Sequence, residues 1–454
     1  MRLPSPRAQL APTILAVVLE ACGTRIQPLA AQVDERWLVL HEMDAAGDRA
    51  LQELTGQGWR ILGGTEVPGL SRVEAPPGAR PIGLAGIRGG WRDVPHEGGV
   101  AAAGQMQGLN RFLGLSGHEG ADLESRQWGL ALVGAPEAWI AGYTGRGIPV
   151  AVVDSGLDPD HPDFLGAVDW SRSTNLVPEE AFVDLNGHGT HVAGLIGARR
   201  DGQGTTGIAP DCQLRIVKVL DRHGYGHDHV IMEGVLRAAR DGARIINVSI
   251  GTRVRWGTPE AGALALAWDR TLREAARLGA LVVTGTGNEG EAERTSGWTH
   301  LPAASPWALV ASACGPQGGK EPTQRARYAN FGPGLAEVLA PGGGIGVDES
   351  GKPVVLDPDD LVLSTWSRRA PSGQGWQPWA GTSMAAAHAS GVAALAAGKH
   401  PDRPGLSLGQ WLQATALATG TNQPPLTHAG RATQAWPFPR NPLSQPRSVA
   451  TLLR

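Results

Sequence analysis

The stretch Ile148–Asp158, "IPVAVVDSGLD", runs small and apolar residues straight into a carboxylate. No polar residue interrupts Val150 to Val153, so both faces of this strand are built for burial. Three further runs share the texture: "LRIVKVL" at 214–220, "IINVSI" at 245–250 and "ALVVTG" at 280–285. Helical segments separate them, chiefly "DHVIMEGVLRAARDGA" from Asp228 and "PEAGALALAWDRTLREAARLG" from Pro259. Buried strands alternating with helices predict an α/β domain, a mostly parallel central sheet with helices on both faces. In such sheets catalytic groups gather at the carboxyl ends of the strands. Asp154 ends one of these strands, is therefore desolvated, and needs a hydrogen-bond donor to stay ionised.

Composition bounds the partners. The chain has 454 residues and a net charge of −3, which gives no electrostatic reason to expect nucleic acid. Glycine is abundant, at 64 residues, without a collagen-like period, as suits many tight turns. Three cysteines, Cys22, Cys212 and Cys314, are too few for a disulfide framework.

Other polar residues stand out beyond Asp154. "LNGHGTHVAGLIG", Leu185–Gly197, puts His188 and His191 three apart among glycines at the mouth of a helix. A His-x-x-His pair can ligate zinc, but zinc needs three or four protein ligands. A catalytic base needs a nucleophile and an orienting group instead. "WAGTSMAAAHASGVAALAAG" places Ser383 at the start of an alanine-rich helix, either as an ordinary N-cap or as a nucleophile at the positive helix end.

Taken in order, "VVDSGLD", "NGHGTHVAG" and "GTSMAAAH" resemble the three signatures of the subtilisin-like serine proteases. The resemblance spans about residues 127–418 and includes "GIAPDCQLRIVKVL", "INVSIG", "GTGNEG" and "FGPGLAEVLAPG". It implies a subtilisin-like three-layer fold and a triad of Asp154, His188 and Ser383, with Asn288 and the Ser383 N–H as oxyanion donors. His191 becomes a structural residue behind the base. Ser249, Ile250 and Gly251 form one backbone edge of the substrate groove, and Gly224, Tyr225 and Gly226 the other. Gly285, Thr286 and Gly287 line the P1 pocket with Glu289 at its rim, which favours a large apolar P1 residue with tolerance of a basic one. A cis Leu301–Pro302 bond is expected in "LPAASP". Calcium is expected at Asp163 and Asp201, with a side chain near Glu124. "RHGYGHDH", 222–229, is a rival candidate for a softer metal, although the groove edge accounts for its glycines. Ala387 stands where the family usually has proline, and extra residues follow Gly251 and precede Leu361.

Four segments follow from this reading. Residues 1–22 resemble a signal peptide, with arginines at 2 and 7 and a short apolar run from Ala11 to Leu19. "LEAC" leaves Cys22 either a lipid anchor or an ordinary buried thiol. Residues 23–122 are read as a small α+β propeptide and inhibitor, with Pro76–Gly120 as a linker. Residues 123–420 are the peptidase domain, and 421–454 an irregular tail. The expected protein is a secreted, autoprocessed monomer without a transmembrane segment, possessing protein substrates and its own propeptide as partners. The other functional class is a subtilisin fold kept as a non-catalytic binding protein.

Overall fold

A computed structural model describes residues 36–97, apart from 77–78, 81–84, 86 and 94, and residues 121–433, apart from 317–321, 348–352, 355–356, 372 and 420–422. The signal-like segment with Cys22 lies outside the described residues.

The N-terminal part forms a four-stranded antiparallel sheet from β1 (Arg36–His41), β2 (Arg60–Gly64), β3 (Leu70–Glu74) and β4 (Ile87–Arg92), in the order β2-β3-β1-β4. Helix α1 (Ala45–Gly56) is started by the Asp44 carboxylate, which accepts from the Ala46 N–H at 2.8 Å. The period-2 pattern of β1 divides its side chains between two cores. Trp37 and Val39 pack with Leu54 of α1, whereas Leu38 and Leu40 face the opposite way, into the core of the larger C-terminal part. The stretch read as a linker therefore contains β4 and, after it, β5 (Pro95–Glu97). Its glycines hid this. Gly89 lies so close to Ala263 that a β-carbon there would come within 2.8 Å of the alanine methyl, so a glycine in β4 marks a close docking contact.

The large sheet has seven parallel strands: β6 (Pro149–Asp154), β7 (Thr174–Asn175), β8 (Gln213–Lys218), β10 (Ile245–Val248), β12 (Leu281–Gly285), β14 (Ala308–Cys314) and β15 (Val338–Pro341). Their order is β15-β14-β12-β10-β6-β8-β7. Val150 and Val152 of β6 pack toward helices α2 (His188–Gly197) and α5 (Thr382–Lys399), while Ala151 and Val153 pack toward α3 (Asp228–Arg240) and α4 (Pro259–Arg277). Helix α5 is buried almost all round, and its alanines suit that close packing. The three-layer α/β fold is as the sequence implied.

Two short ribbons shape the rim. β5 pairs antiparallel with β9 (Tyr225–His227), and β11 (Thr252–Arg255), made by the extra residues after Gly251, pairs with β13 (Trp298–Leu301). The Leu301–Pro302 bond is cis. The tail is not irregular throughout: Leu426 bridges Leu339 and Leu417, α6 (Gly405–Thr415) precedes it, and α7 (Ala429–Thr433) buries Ala429 and Ala432 against the core. Proline and polar residues masked this packing, because a five-residue helix carries no readable period. Among the described residues no helix is long and apolar enough to cross a membrane.

Candidate active site

Asp154 closes β6 and His188 opens α2, so the strand end and the helix start meet. The His188 Nδ1–H donates to Asp154 Oδ1 at 2.8 Å with both groups buried. Burial opposes charge on the imidazole, but the field and hydrogen bond of Asp154, with the more distant charge of Asp184, raise its pKa above the ordinary value. Its Nε2 is buried with no hydrogen-bond partner. That is the nitrogen a general base must keep free.

Asp184 holds the helix start. Its Oδ1 accepts from Ser155 Oγ–H and from the N–H groups of Asn186 and Gly187, and its Oδ2 from both N–H and Oγ–H of Thr190. Gly187 has φ +107°, and a β-carbon on it would lie 2.2 Å from the Trp366 ring. Only glycine turns the chain into α2 there. His191, fully buried, donates through Nε2 to the Gln377 carbonyl at 2.9 Å and meets Trp366 edge-on. Burial pushes its pKa down to about 3, so it stays neutral.

Ser383 is the second residue of α5. Its Oγ–H donates to the Ser249 carbonyl at 3.3 Å, and Ser249 Oγ–H donates back to the Ser383 carbonyl at 3.1 Å. Attack on a substrate requires Oγ to leave that carbonyl and turn toward a base. Asn288 Oδ1 accepts from the Thr382 N–H at 2.9 Å, which fixes the amide plane and leaves Nδ2 as the group able to donate. A cavity of about 270 Å³ opens beside them, lined among others by Ser249, Gly251, Gly285, Gly287, Asn288 and Ser383.

The structure brings part of the predicted groove together around this cavity. Ile250 and Glu289 also line this cavity, whereas Thr286 is buried behind it. Gly285 must be small, since a β-carbon would meet the Thr382 carbonyl oxygen at 2.7 Å. Gly224, Tyr225 and Gly226, expected as the other edge, do not line this cavity; Tyr225 and Gly226 pair with Glu97 and His96 in the β5–β9 ribbon, and Gly224 precedes it.

The sequence reading missed His300. This cavity-lining residue stands between Glu289 Oε2, 3.1 Å from Nε2, and Glu293 Oε2, 3.3 Å from Nδ1. Burial opposes its charge, yet the two carboxylates push its pKa up to about 9. Burial also opposes charge on Glu289, but His300 and Asn330 bring it down to about 2. Asp184 and Arg253, another lining residue, were missed as well. An acid two residues before the "NGHGT" motif was the available signal for Asp184; nothing local marks His300.

The expected calcium ligands do not fit a hard cation. Asp163 Oδ2 accepts from the Thr205 N–H and Oγ–H and from Trp376 Nε1–H, and burial raises its pKa. Asp201 is exposed, with Oδ1 accepting from the Gln203 N–H. Glu124 is engaged by the Arg200 guanidinium at 2.8 and 2.9 Å and by Thr206. Asp163 Oδ1 is buried without a hydrogen-bond partner, but the three side chains do not converge among the described residues, and a fixed positive charge holds Glu124 where calcium would require an oxygen ligand. Sequence position suggested the site; Arg200 is the physical reason it is not assembled.

The sheet carries a buried Asp–His pair at one strand end, and Ser383 stands at the start of a buried helix with its hydroxyl on the Ser249 carbonyl. Residues 145–435 match the subtilase family, and the chain belongs to it. It is 33% identical over 310 residues to a thermostable alkaline protease of Halalkalibacterium halodurans, covering 68% of this chain and 73% of that one. Subtilisin E of Bacillus subtilis is 33% identical over 301 residues, covering 66% and 68%. Fervidolysin from Fervidobacterium pennivorans, a keratinolytic enzyme related to subtilisin, shares the fold with a TM-score of 0.65 at 24% identity over 89% of this chain and 61% of that one. A lanthipeptide protease aligns with a TM-score of 0.58 at 28% identity, over 68% and 94%. The protein is a subtilisin-like serine endopeptidase.

Proposed function

We infer that Asp154, His188 and Ser383 form the catalytic triad of a secreted, broadly specific endopeptidase that removes its own N-terminal domain. The observation that carries this reading is the buried 2.8 Å Asp154–His188 hydrogen bond with Nε2 left unpartnered. A serine hydroxyl is too weak an acid to attack an amide unaided, so His188 takes the Ser383 proton during attack and returns it to the leaving amine. Asp154 keeps the imidazole in the required tautomer and stabilises the imidazolium. Asn288 Nδ2 and the Ser383 N–H receive the developing oxyanion. Ile250, Leu301 and Ala303 give the P1 cavity an apolar wall for a large side chain, and Glu289 gives a basic one a partner. No calcium-dependent step enters this mechanism.

The small N-terminal domain acts as propeptide. Its β1 and β4 residues Leu38, Leu40 and Trp91 bury against the α3 and α4 side of the peptidase core, and Pro95–Glu97 already occupies a groove edge. Secretion follows from the signal-like first 22 residues, with Cys22 a candidate anchor, and the mature enzyme is a monomer acting on protein substrates. A fluorophosphonate probe should label the wild type and not Ser383→Ala; absence of label from a folded wild type would instead support a non-catalytic binding protein.

A further inference from the structure

We propose that Asp93, His227 and His229 bind one divalent cation of borderline softness, of the zinc type, across the junction between the N-terminal and peptidase domains. The Nδ1 atoms of His227 and His229 each lie 3.0 Å from the same oxygen, Asp93 Oδ1. All three candidate ligand atoms lie within 4.8 Å of one another, and among the described residues no other three His, Cys, Asp or Glu side chains converge in this way. Two imidazoles and a carboxylate are a mixed nitrogen and oxygen set, which suits zinc and disfavours calcium, a cation that takes six to eight oxygens. Zinc bonds of about 2.0–2.2 Å put tetrahedral ligand atoms about 3.3 Å apart. The two 3.0 Å edges at Asp93 Oδ1 therefore lengthen by only a few tenths of an ångström to admit the ion, and the two Nδ1 atoms already lie within 4.8 Å of each other.

The ligands come from anchored positions on both sides of the junction. His227 ends β9, His229 lies in the first turn of α3, and Asp93 falls between β4 and β5. Asp93 is 2% exposed and its N–H donates to the Arg36 carbonyl at 3.1 Å. Arg72 Nε stands 3.6 Å from its other oxygen, Oδ2, so the guanidinium orients the carboxylate from behind without occupying Oδ1. His229 is buried and His227 is one-third exposed at its side chain, which leaves a solvent-facing side for a fourth, water ligand. Coordination through Nδ1 requires that atom's lone pair, so any proton left on each bound ring resides on Nε2.

The position gives the ion a consequence. Two residues after Asp93, Pro95 pairs with His227 in the β5–β9 ribbon. A bound ion therefore clamps the departing strand onto the groove edge and slows release of the N-terminal domain. That consequence, unlike the site itself, rests on the propeptide reading. Once the chain is cut beyond residue 97, Asp93 leaves with the removed domain and the mature enzyme keeps only two of the three ligands.

The test uses the full-length Ser383→Ala chain, stripped of metal, with Zn²⁺ measured by equilibrium dialysis and Co²⁺ by its visible spectrum. One Zn²⁺ per chain, a tetrahedral-intensity Co²⁺ spectrum displaced by Zn²⁺, and a rise in thermal midpoint on metal addition are expected. Asp93→Asn, His227→Gln and His229→Gln should each weaken Zn²⁺ binding at least tenfold, while His223→Gln leaves it unchanged. Absence of stoichiometric binding, or binding that the three substitutions together do not weaken, overturns the site. The cobalt spectrum and the thermal shift of the otherwise unsubstituted chain decide the matter even if a variant fails to fold. If wild type is never shortened, the propeptide reading fails, yet metal stoichiometry in the intact chain still decides this proposal.

Discussion

His188 derives its basicity from two carboxylates, one in contact and one behind. Ser383→Ala or His188→Ala should lower kcat by roughly 10⁶, a scale taken over from subtilisin, and the double variant should lose little more, because the residues act as a unit. His191→Gln should retain activity if folded, since its buried neutral ring only donates to Gln377. A matching loss there would assign the base wrongly. The Glu289–His300–Glu293 group makes a second prediction. His300 is held protonated, so the stability it lends is whole below about 6.5 and fades as pH rises through about 9. Glu289 is held ionised, so its contribution is whole above about 4.5 and fades as pH falls through about 2. Loss of the His300 proton adds one net negative charge to the cavity. Cleavage after P1 lysine relative to P1 leucine should therefore climb on passing above about pH 9, and this climb should vanish in His300→Gln. An unchanged ratio in the wild type would remove His300 from specificity.

Helix α2 depends at its start on one acid. Asp184→Ala leaves the Gly187 and Thr190 N–H groups without their buried acceptor, which at about 1–3 kcal/mol each should cost roughly 3 kcal/mol or more of stability. Asp184→Asn keeps much of the geometry but removes a charge that raises the His188 pKa, so the acid limb of kcat/KM should move to lower pH. A melt and a pH–rate profile separate the two effects. The loop between α2 and β8 makes the opposite prediction about metal. With Arg200 on Glu124 and three donors on Asp163, excess calcium should not raise the thermal midpoint of the metal-free Ser383→Ala chain. Saturating a calcium site would contribute about 2.7 kcal/mol at a hundredfold excess over Kd, and a rise of a few degrees would reinstate calcium here.

On the propeptide reading, the N-terminal sheet assists a part of the chain that folds slowly. A parallel sheet pairs strands that are distant in sequence and so folds slowly, exposing apolar surface on the way. The β4 face packs on α4, and Gly89 admits Ala263 where any side chain would collide. On the propeptide reading, full-length wild type should shorten by about a hundred residues, to a new N-terminus between Arg111 and Gln127, while Ser383→Ala stays long. An active wild type that keeps its full length would make the N-terminal domain a permanent part of the enzyme.

The sequence by itself determined the parallel sheet, four of its seven strands and the identity of the candidate triad. Unbroken runs such as Val150–Val153 and the ordered motifs around Asp154, His188 and Ser383 are local patterns, and local patterns survive in one dimension. The same logic failed in the glycine-rich β4 and in the short helix at Ala429, where the deciding fact is what lies across the interface. Only the tertiary structure decided that His300 stands between two glutamates and that Arg200 occupies Glu124. It also decided that Asp93 meets histidines 134 and 136 residues away. Charge interactions depend on distance and burial, and those are fixed by which surfaces pack together rather than by neighbours along the chain.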